Sequence, residues 1–370
     1  TFSKTYKNNL LMSIFAKKIQ KKMDRKRILV IWAFNIVSII ALAMTFRCFK
    51  LIVSPQIVTY DFSIYITPNN TADDIVKMIS KNEPKANLTG LKWMMKLKKY
   101  DDNVPTGHYV IKRGYSAKNI ADLLARSMQT PVKVVINSTR TVDQIATTIS
   151  SQLMMDSATI AEKLNDIEYL KSLGYNGNSV FCLIVPNTYE FYWNVSIDGF
   201  IKRMIKERDA FWNESRLEKA KAIGLTPEEV MTLASIVEEE TAQNEELPIV
   251  AGLYINRLNR GMLLQADPTV IYALGGERPI RVLKKHLETD SPYNTYKYAG
   301  LPPAPIRFVN IKSIDAVLNY TKHNYLYMCA KEDHSGYHNF ATTLSQHNAN
   351  AARYRQSIKT VLNDVNDICL

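Results

Sequence analysis

An uncharged run of nineteen residues, Ile28 to Phe46 (ILVIWAFNIVSIIALAMTF), constrains this chain more than any other stretch. As a helix rising about 1.5 Å per residue it would be about 28 Å long, close to the roughly 30 Å of bilayer hydrocarbon. It has no polar face, which argues against a buried helix of a soluble core. A cleaved signal is the alternative, because Ala41-Leu42-Ala43 has the small-x-small form of a cleavage site. The apolar run is nevertheless longer than the roughly 7 to 15 residues usual in such signals. Residues 1–27 hold nine Lys/Arg against one Asp, a local charge of +8 out of +12 for the 370-residue chain. Positive flanks stay in the cytoplasm. The expected topology is therefore a basic cytoplasmic tail (1–27), a transmembrane helix (28–46) and everything beyond Arg47 outside the cytoplasmic membrane. The other 343 residues carry only +4 and no evident basic stripe interleaved with aromatics, so no nucleic-acid partner is expected.

The remaining length suits two domains. A linker (47–58) contains Pro55 and leads into a small α+β module (59–137). There Thr59–Ile66, His108–Lys112 and Val132–Ile136 read as strands, and Thr71–Ile79, Leu88–Leu97 and Ser116–Ser127 as helices, with a polar turn over Asp101–Gly107. The strand-helix units beginning at Tyr60 and Tyr109 have the same form, which suggests a small internal duplication. The module resembles LysM-like domains that bind N-acetylglucosamine-containing glycans.

A mainly helical region (138–370) follows, with Val142–Leu153 expected as a helix and Ser157–Leu173 and Ile197–Lys221 as helical stretches. Between the last two lies an aromatic stretch, Phe181 to Trp193, with one carboxylate, Glu190. Aromatics beside hydrogen-bonding groups suit a sugar ring; core packing of the same rings is the alternative. The four cysteines and six histidines show no metal-ligand spacing; His334 and His338 are four apart, but in a stretch that reads as loop or strand. No metal or cofactor is expected.

The stretch from Thr226 to Tyr272 carries the chemistry. Thr226, Pro227 and Glu229 form an N-terminal capping box with proline in the first turn. In the helix that follows, Val230, Leu233, Ala234 and Val237 make the apolar stripe. Three glutamates end it. The helical phase puts Glu240 on the edge of the stripe, Glu239 on the opposite side towards solvent, and Glu238 on the flank. Desolvation raises a carboxyl pKa, so Glu240 is the candidate general acid. A solvated acidic run at a helix end is the alternative. A second helix, Leu247–Leu258, ends in Asn256-Arg257, and Gln265-Ala-Asp267-Pro-Thr269 makes a polar turn in which Asp267 is also a good helix N-cap.

Four runs, LASIVEEET, INRLNRGMLLQADPTVIYAL, TDSPYNTYKYAGLPPAPI and GYHNFATTLSQHN, are similar in order and spacing to the YceG-like family of endolytic murein transglycosylases. The resemblance spans about Thr59 to Tyr354 and implies a fold of the α+β class: a single N-terminal transmembrane helix, a LysM-like module and a mainly helical catalytic domain. It implies peptidoglycan glycan strands as substrate, attachment to the inner membrane and cell-wall synthases as candidate partners. The family's catalytic glutamate is the one followed by threonine, here Glu240 before Thr241, the residue the helical phase selects. The implied reaction breaks the MurNAc–GlcNAc β-1,4 bond with one acid/base and leaves a 1,6-anhydro end. Thr241, Asn256, Gln265, Asp267, Asn294, Asn339 and Thr343 are polar residues of the matching motifs, and with Glu190 they are the candidates to hold or polarise the sugar. Glu246 is a candidate to orient Thr241 or Arg257. The chain departs from the family pattern in the middle glutamate of the run and in its longer basic tail. A lysozyme-like hydrolase pairing Glu240 with Asp267 or Glu190, or a non-catalytic glycan-binding scaffold, remain alternatives.

Overall fold

The computed structural model describes residues 2–53, 57–100, 103–177, 179–275, 279 and 282–368. Pro55 of the expected linker, Asp101 of the expected polar turn and Cys369 lie outside the described residues. The chain divides into two compact units, Thr1–Thr130 and Pro131–Leu370.

The first unit begins with α1 (Phe2–Val53), one continuous helix that includes the basic tail as well as the apolar run. It holds one stretch long and apolar enough to cross a membrane. Then come β1 (Phe62–Ile66), α2 (Ala72–Asn82), α3 (Thr89–Leu97), β2 (Gly107–Ile111) and α4 (Ala117–Ala125). β1 and β2 pair antiparallel, with Ile64 opposite Tyr109. The helices start where the sequence caps them: Thr71 with Asp74 and Ser116 with Asn119 form reciprocal capping boxes. Ile64, Ile66, Ile75, Ile79, Leu91, Tyr109, Ile111 and Leu124 form the core.

The second unit comprises β3 (Val132–Val135), α5 (Val142–Ser150), α6 (Ser157–Asn165), α7 (Ile167–Ser172), β4 (Thr188–Phe191), α8 (Ile197–Phe211), α9 (Glu214–Ile223), α10 (Pro227–Glu240), α11 (Leu247–Asn259), α12 (Asp267–Ala273), α13 (Lys284–Leu287), α14 (Ile311–Leu318), β5 (Tyr327–Ala330), β6 (His338–Ala341) and α15 (Leu344–Ile368). Two pairings, β3 with β4 and β5 with β6, are antiparallel.

Three differences from the sequence reading have local causes. β3 does not complete the small module; it pairs with β4 of the second unit, Lys133 opposite Glu190. The helical stretches expected over 157–173 and 197–221 are each broken, at Asp166 and Asn213, whose side chains cap the next helix by accepting from the backbone N–H of Tyr169 and Arg216. The stretch expected as an aromatic loop contributes β4, and Phe181, Tyr189 and Phe191 are buried in a core with Phe200 and Phe308. These three rings are spent on packing, not on a sugar platform.

α10 occupies the centre of the other core of this unit. Every residue from Val230 to Val237 is buried, against α9, α11, α12 and α14. Over these residues the helix is enclosed on all sides, not only along the expected stripe, whereas its acidic end, Glu238 to Glu240, is only partly buried.

Candidate active site

Three glutamates end α10, and the fold gives each a different environment. Glu238 accepts from the Ser138 hydroxyl at 2.5 Å and the Asn310 backbone N–H at 2.7 Å. Glu239 accepts from Arg140 Nε at 2.7 Å and from Arg307 at 2.5 Å, its side chain only 5% exposed and that of Arg307 13%. The expectation that Glu239 faces solvent is therefore wrong. The helical phase was right to turn it away from Glu240, but strand-side and loop residues cover that side too.

Among the described residues Glu240 has no ion-pair partner of this kind. It accepts a hydrogen bond from the Tyr254 hydroxyl of α11, at 2.8 Å. Burial pushes its carboxyl up to about 7, with nearby Asp267 pushing the same way, while the Tyr254 hydrogen bond and the Arg257 charge pull it down. The carboxyl lines a cavity of about 250 Å³ together with Tyr254, Arg257, Gln265, Asp267, Tyr296 and His338.

Each wall of this cavity has a structural cause. Tyr254 and Arg257 are three residues apart on α11 and so share a face. The Arg257 guanidinium is buried and donates to the carbonyls of Leu264, at 2.8 Å, and Leu326, at 2.6 Å, which anchors the segment leading to α12. In that segment Gln265 has φ of +51°, the left-handed region disfavoured for a side-chain-bearing residue. Asp267 then opens α12, but Ala266 holds the cap position and no side-chain cap bond forms. The Asp267 carboxylate is thereby left to the cavity, where it accepts from the Tyr296 hydroxyl at 2.5 Å. This corrects the N-cap reading of Asp267: one residue of offset turns a cap into a lining group.

The last wall is the β5–β6 hairpin, held by Glu246. One oxygen of this buried carboxylate accepts from the His338 backbone N–H at 2.7 Å; the other takes the Thr241 hydroxyl at 3.0 Å and lies 2.8 Å from His338 Nδ1. Glu246 therefore bridges the end of α10 to β6 and engages Thr241, not Arg257. Among the described residues no group of three or more His, Cys, Asp or Glu is arranged to hold a metal ion.

The other candidates lie outside the cavity lining. Asn256 donates to the carbonyls of His323 and Tyr325, and Asn294 to those of Leu287 and Thr289. Asn339 donates to Glu332, and Thr343 accepts from the Gln346 backbone N–H at the start of α15. Glu190 is exposed on β4, beside Lys133. These residues position loops and helix ends, or face solvent. The structure brings together Glu240, Gln265 and Asp267 from the candidate set and adds Tyr254, Arg257, Tyr296 and His338. Tyr254 and Arg257 were findable as a polar pair at helical spacing. Tyr296 and His338 lie within the runs that match the family, but no local pattern marks them as site residues, because they are far from Glu240 in sequence.

A larger cavity, about 590 Å³, lies against the same elements: Glu239 of α10 and Pro268, Ile271 and Tyr272 of α12 line it, together with Arg140 and Tyr293. Adjacent residues of two helices thus face two different cavities. The one with Glu240 holds the group whose acidity is tuned.

Comparison with known proteins identifies the family. The model of the YceG-like family matches residues 64–353. The chain is similar to an endolytic murein transglycosylase of Bacillus subtilis, 29% identical over 80% of this chain and 85% of that protein. It is also similar to one of Streptococcus pneumoniae, 32% identical over 47% of this chain and 32% of that longer protein. A crystal structure of a yceG-like protein from Listeria monocytogenes superposes with a TM-score of 0.53 at 28% identity, covering 78% of this chain and 98% of that one. With a match over more than half its length and relatives that share its fold, this chain belongs to the YceG-like family.

Proposed function

We propose that this chain is a membrane-anchored endolytic murein transglycosylase that cuts MurNAc–GlcNAc β-1,4 bonds within nascent peptidoglycan strands and so limits strand length. The observation that carries this reading is the Glu240 carboxyl, pushed up to about 7 in a cavity and hydrogen-bonded by Tyr254. A carboxyl with a pKa near neutrality holds its proton long enough to donate it and ionises readily enough to take one back.

The reaction then needs one acid/base. Glu240 gives its proton to the bridging oxygen as the bond to the anomeric carbon breaks. The resulting carboxylate takes the proton of the sugar's own 6-hydroxyl, whose oxygen closes onto the anomeric carbon. The product is a 1,6-anhydro ring, and the enzyme is returned protonated with no water consumed. An intramolecular nucleophile held close is favoured by its high effective concentration. Arg257 supplies positive charge near the reacting centre, and the Tyr254 and Tyr296 hydroxyls, which donate to Glu240 and Asp267, hold those two carboxyl groups in place.

The antiparallel β1–β2 pair with α2 and α3 between them in sequence supports a LysM-like, glycan-binding role for the first unit. The apolar part of α1 supports a single membrane span, and the basic tail supports a cytoplasmic N-terminus.

One observation favours a second reading. Asp267 lies in the same cavity, and a hydrolase uses two carboxylates, the second to attack the sugar or to activate a water. Digestion of purified peptidoglycan by the full chain, followed by mass spectrometry of the products, separates the two. The expected products carry anhydro ends, lighter by one water than reducing ends. Reducing ends would establish the hydrolase instead, and no cleavage by folded protein would leave a glycan-binding scaffold.

A further inference from the structure

The C-terminal end of α1 touches α3. A Cβ built on Gly90 would lie 2.4 Å from the Leu51 carbonyl oxygen, so the two backbones meet at a point that only glycine admits. Around this contact Cys48, Leu51, Ile52, Thr89, Gly90 and Trp93 enclose an apolar cavity of about 200 Å³. α3 is therefore fixed at the level of Leu51. That residue is five positions beyond Phe46, about 7.5 Å along the helix, and each headgroup layer is roughly 5–8 Å thick.

α3 is two-faced. Leu91, Met94 and Met95 enter the core of the first unit. On the outward side Trp93 and Leu97, one turn apart, are 55% and 64% exposed. Lys92, Lys96 and Lys99 are exposed around them, with Arg47 and Lys50 of α1 exposed at the same end, while Lys98 is engaged by Asp122. A tryptophan and a leucine ringed by lysines is the composition of a surface that meets a bilayer. Indole rings settle at the boundary between headgroups and acyl chains, and long lysine stems let the ammonium reach phosphates.

We propose that α3 is a second membrane contact, lying in the headgroup layer where α1 leaves the bilayer, with Trp93 and Leu97 at the acyl boundary and Lys92, Lys96 and Lys99 on anionic lipid phosphates. The inference rests on the reading that the apolar part of α1 spans a bilayer. Its consequence is that the first unit is held against the lipid instead of swinging on its anchor.

The full chain in nanodiscs of phosphatidylcholine and phosphatidylglycerol tests this by tryptophan quenching. The contribution of Trp93 is the difference between the wild type and Trp93→Phe, and that of Trp32, in the apolar run, is read in the same way from Trp32→Phe. Lipid brominated just below the headgroup should quench Trp93 by about twofold or more, and acrylamide in the water should quench it little. Lys92→Glu with Lys96→Glu should reverse that preference, as should discs without phosphatidylglycerol. If Trp32 is quenched by brominated lipid but Trp93 only by acrylamide, α3 faces water or protein and this inference falls alone. If Trp32 also escapes the lipid quencher, the membrane-span reading falls and takes this one with it. A measurement on unmodified protein gives the same decision: a photoreactive lipid should label the peptide containing residues 89–97, and absence of label there would overturn the proposal.

Discussion

Glu239 and Glu240 are neighbours on one helix end with opposite electrostatic surroundings. Glu239 is clamped by two arginines, the half-exposed Arg140 and the largely buried Arg307. Glu240 is met by a tyrosine hydroxyl and faces a cavity that contains another carboxylate. Glu240, removed from water without a guanidinium partner, is pushed towards the neutral state. The three consecutive glutamates are thus two structural anchors and one candidate acid, and the division depends on what lies opposite each.

The sharpest test of that comparison is Glu240→Gln. It should lower glycan cleavage by about a thousandfold or more with the fold retained. The same variant should change the pH dependence of stability. The folded pKa of Glu240 is raised, so its contribution is fully present below the ordinary glutamate value of 4.5 and is lost as pH rises through about 7. That loss is about 3 kcal/mol in the wild type and should be missing in urea unfolding of Glu240→Gln.

Glu239→Gln should do the reverse. Removing this partner leaves Arg307, still paired with Glu238 at 3.3 Å, short of one of its two carboxylates, which should cost about 1–2 kcal/mol of stability, read from the unfolding of the second unit. The folded variant should still produce anhydro ends. Glu239→Gln protein that is as stable as the wild type yet inactive would break the comparison, because it would give Glu239 the chemical role.

The smallest effects refine the acid itself, and they should have opposite signs. Tyr254→Phe removes the hydrogen bond that holds the Glu240 carboxylate form, so the alkaline limb of the pH–rate profile should move up by about one unit or less. Asp267→Asn removes a neighbouring negative charge, so the limb should move down by a similar amount. Shifts in the same direction in the two variants would contradict the arrangement of charges around Glu240. Complete loss of cleavage in Asp267→Asn would favour the two-carboxylate hydrolase.

What was legible in the sequence was local. The start of α10 at Thr226 and Pro227, and the phase that separates Glu240 from Glu239, follow from capping chemistry and the 3.6-residue period, neither of which needs the rest of the chain. Asp166 and Asn213 were equally readable as caps; apolar periodicity continuing past them disguised the breaks. The partners of Glu239 were not readable, since Arg140 and Arg307 lie far from it in sequence on opposite sides. The same holds for the pairing of β3 with β4, which moves a strand from one unit to the other. Asp267 shows how narrow the margin is: a shift of the helix start by one residue transferred its carboxylate from a backbone cap to the cavity, where Tyr296 receives it.

The Glu246 bridge between Thr241 and His338 bears on when activity can arise. Glu240, Tyr254 and Arg257 are present once α10 and α11 have formed, but the hairpin that closes the cavity over them follows only after α12, α13 and α14. A molecule still being synthesised, or cut short before β6, would carry the acid without the wall that encloses it. Glu246 would then have neither His338 contact to make. Enclosure of the acid thus depends on a hairpin far from it in sequence, joined to the end of α10 through a single carboxylate.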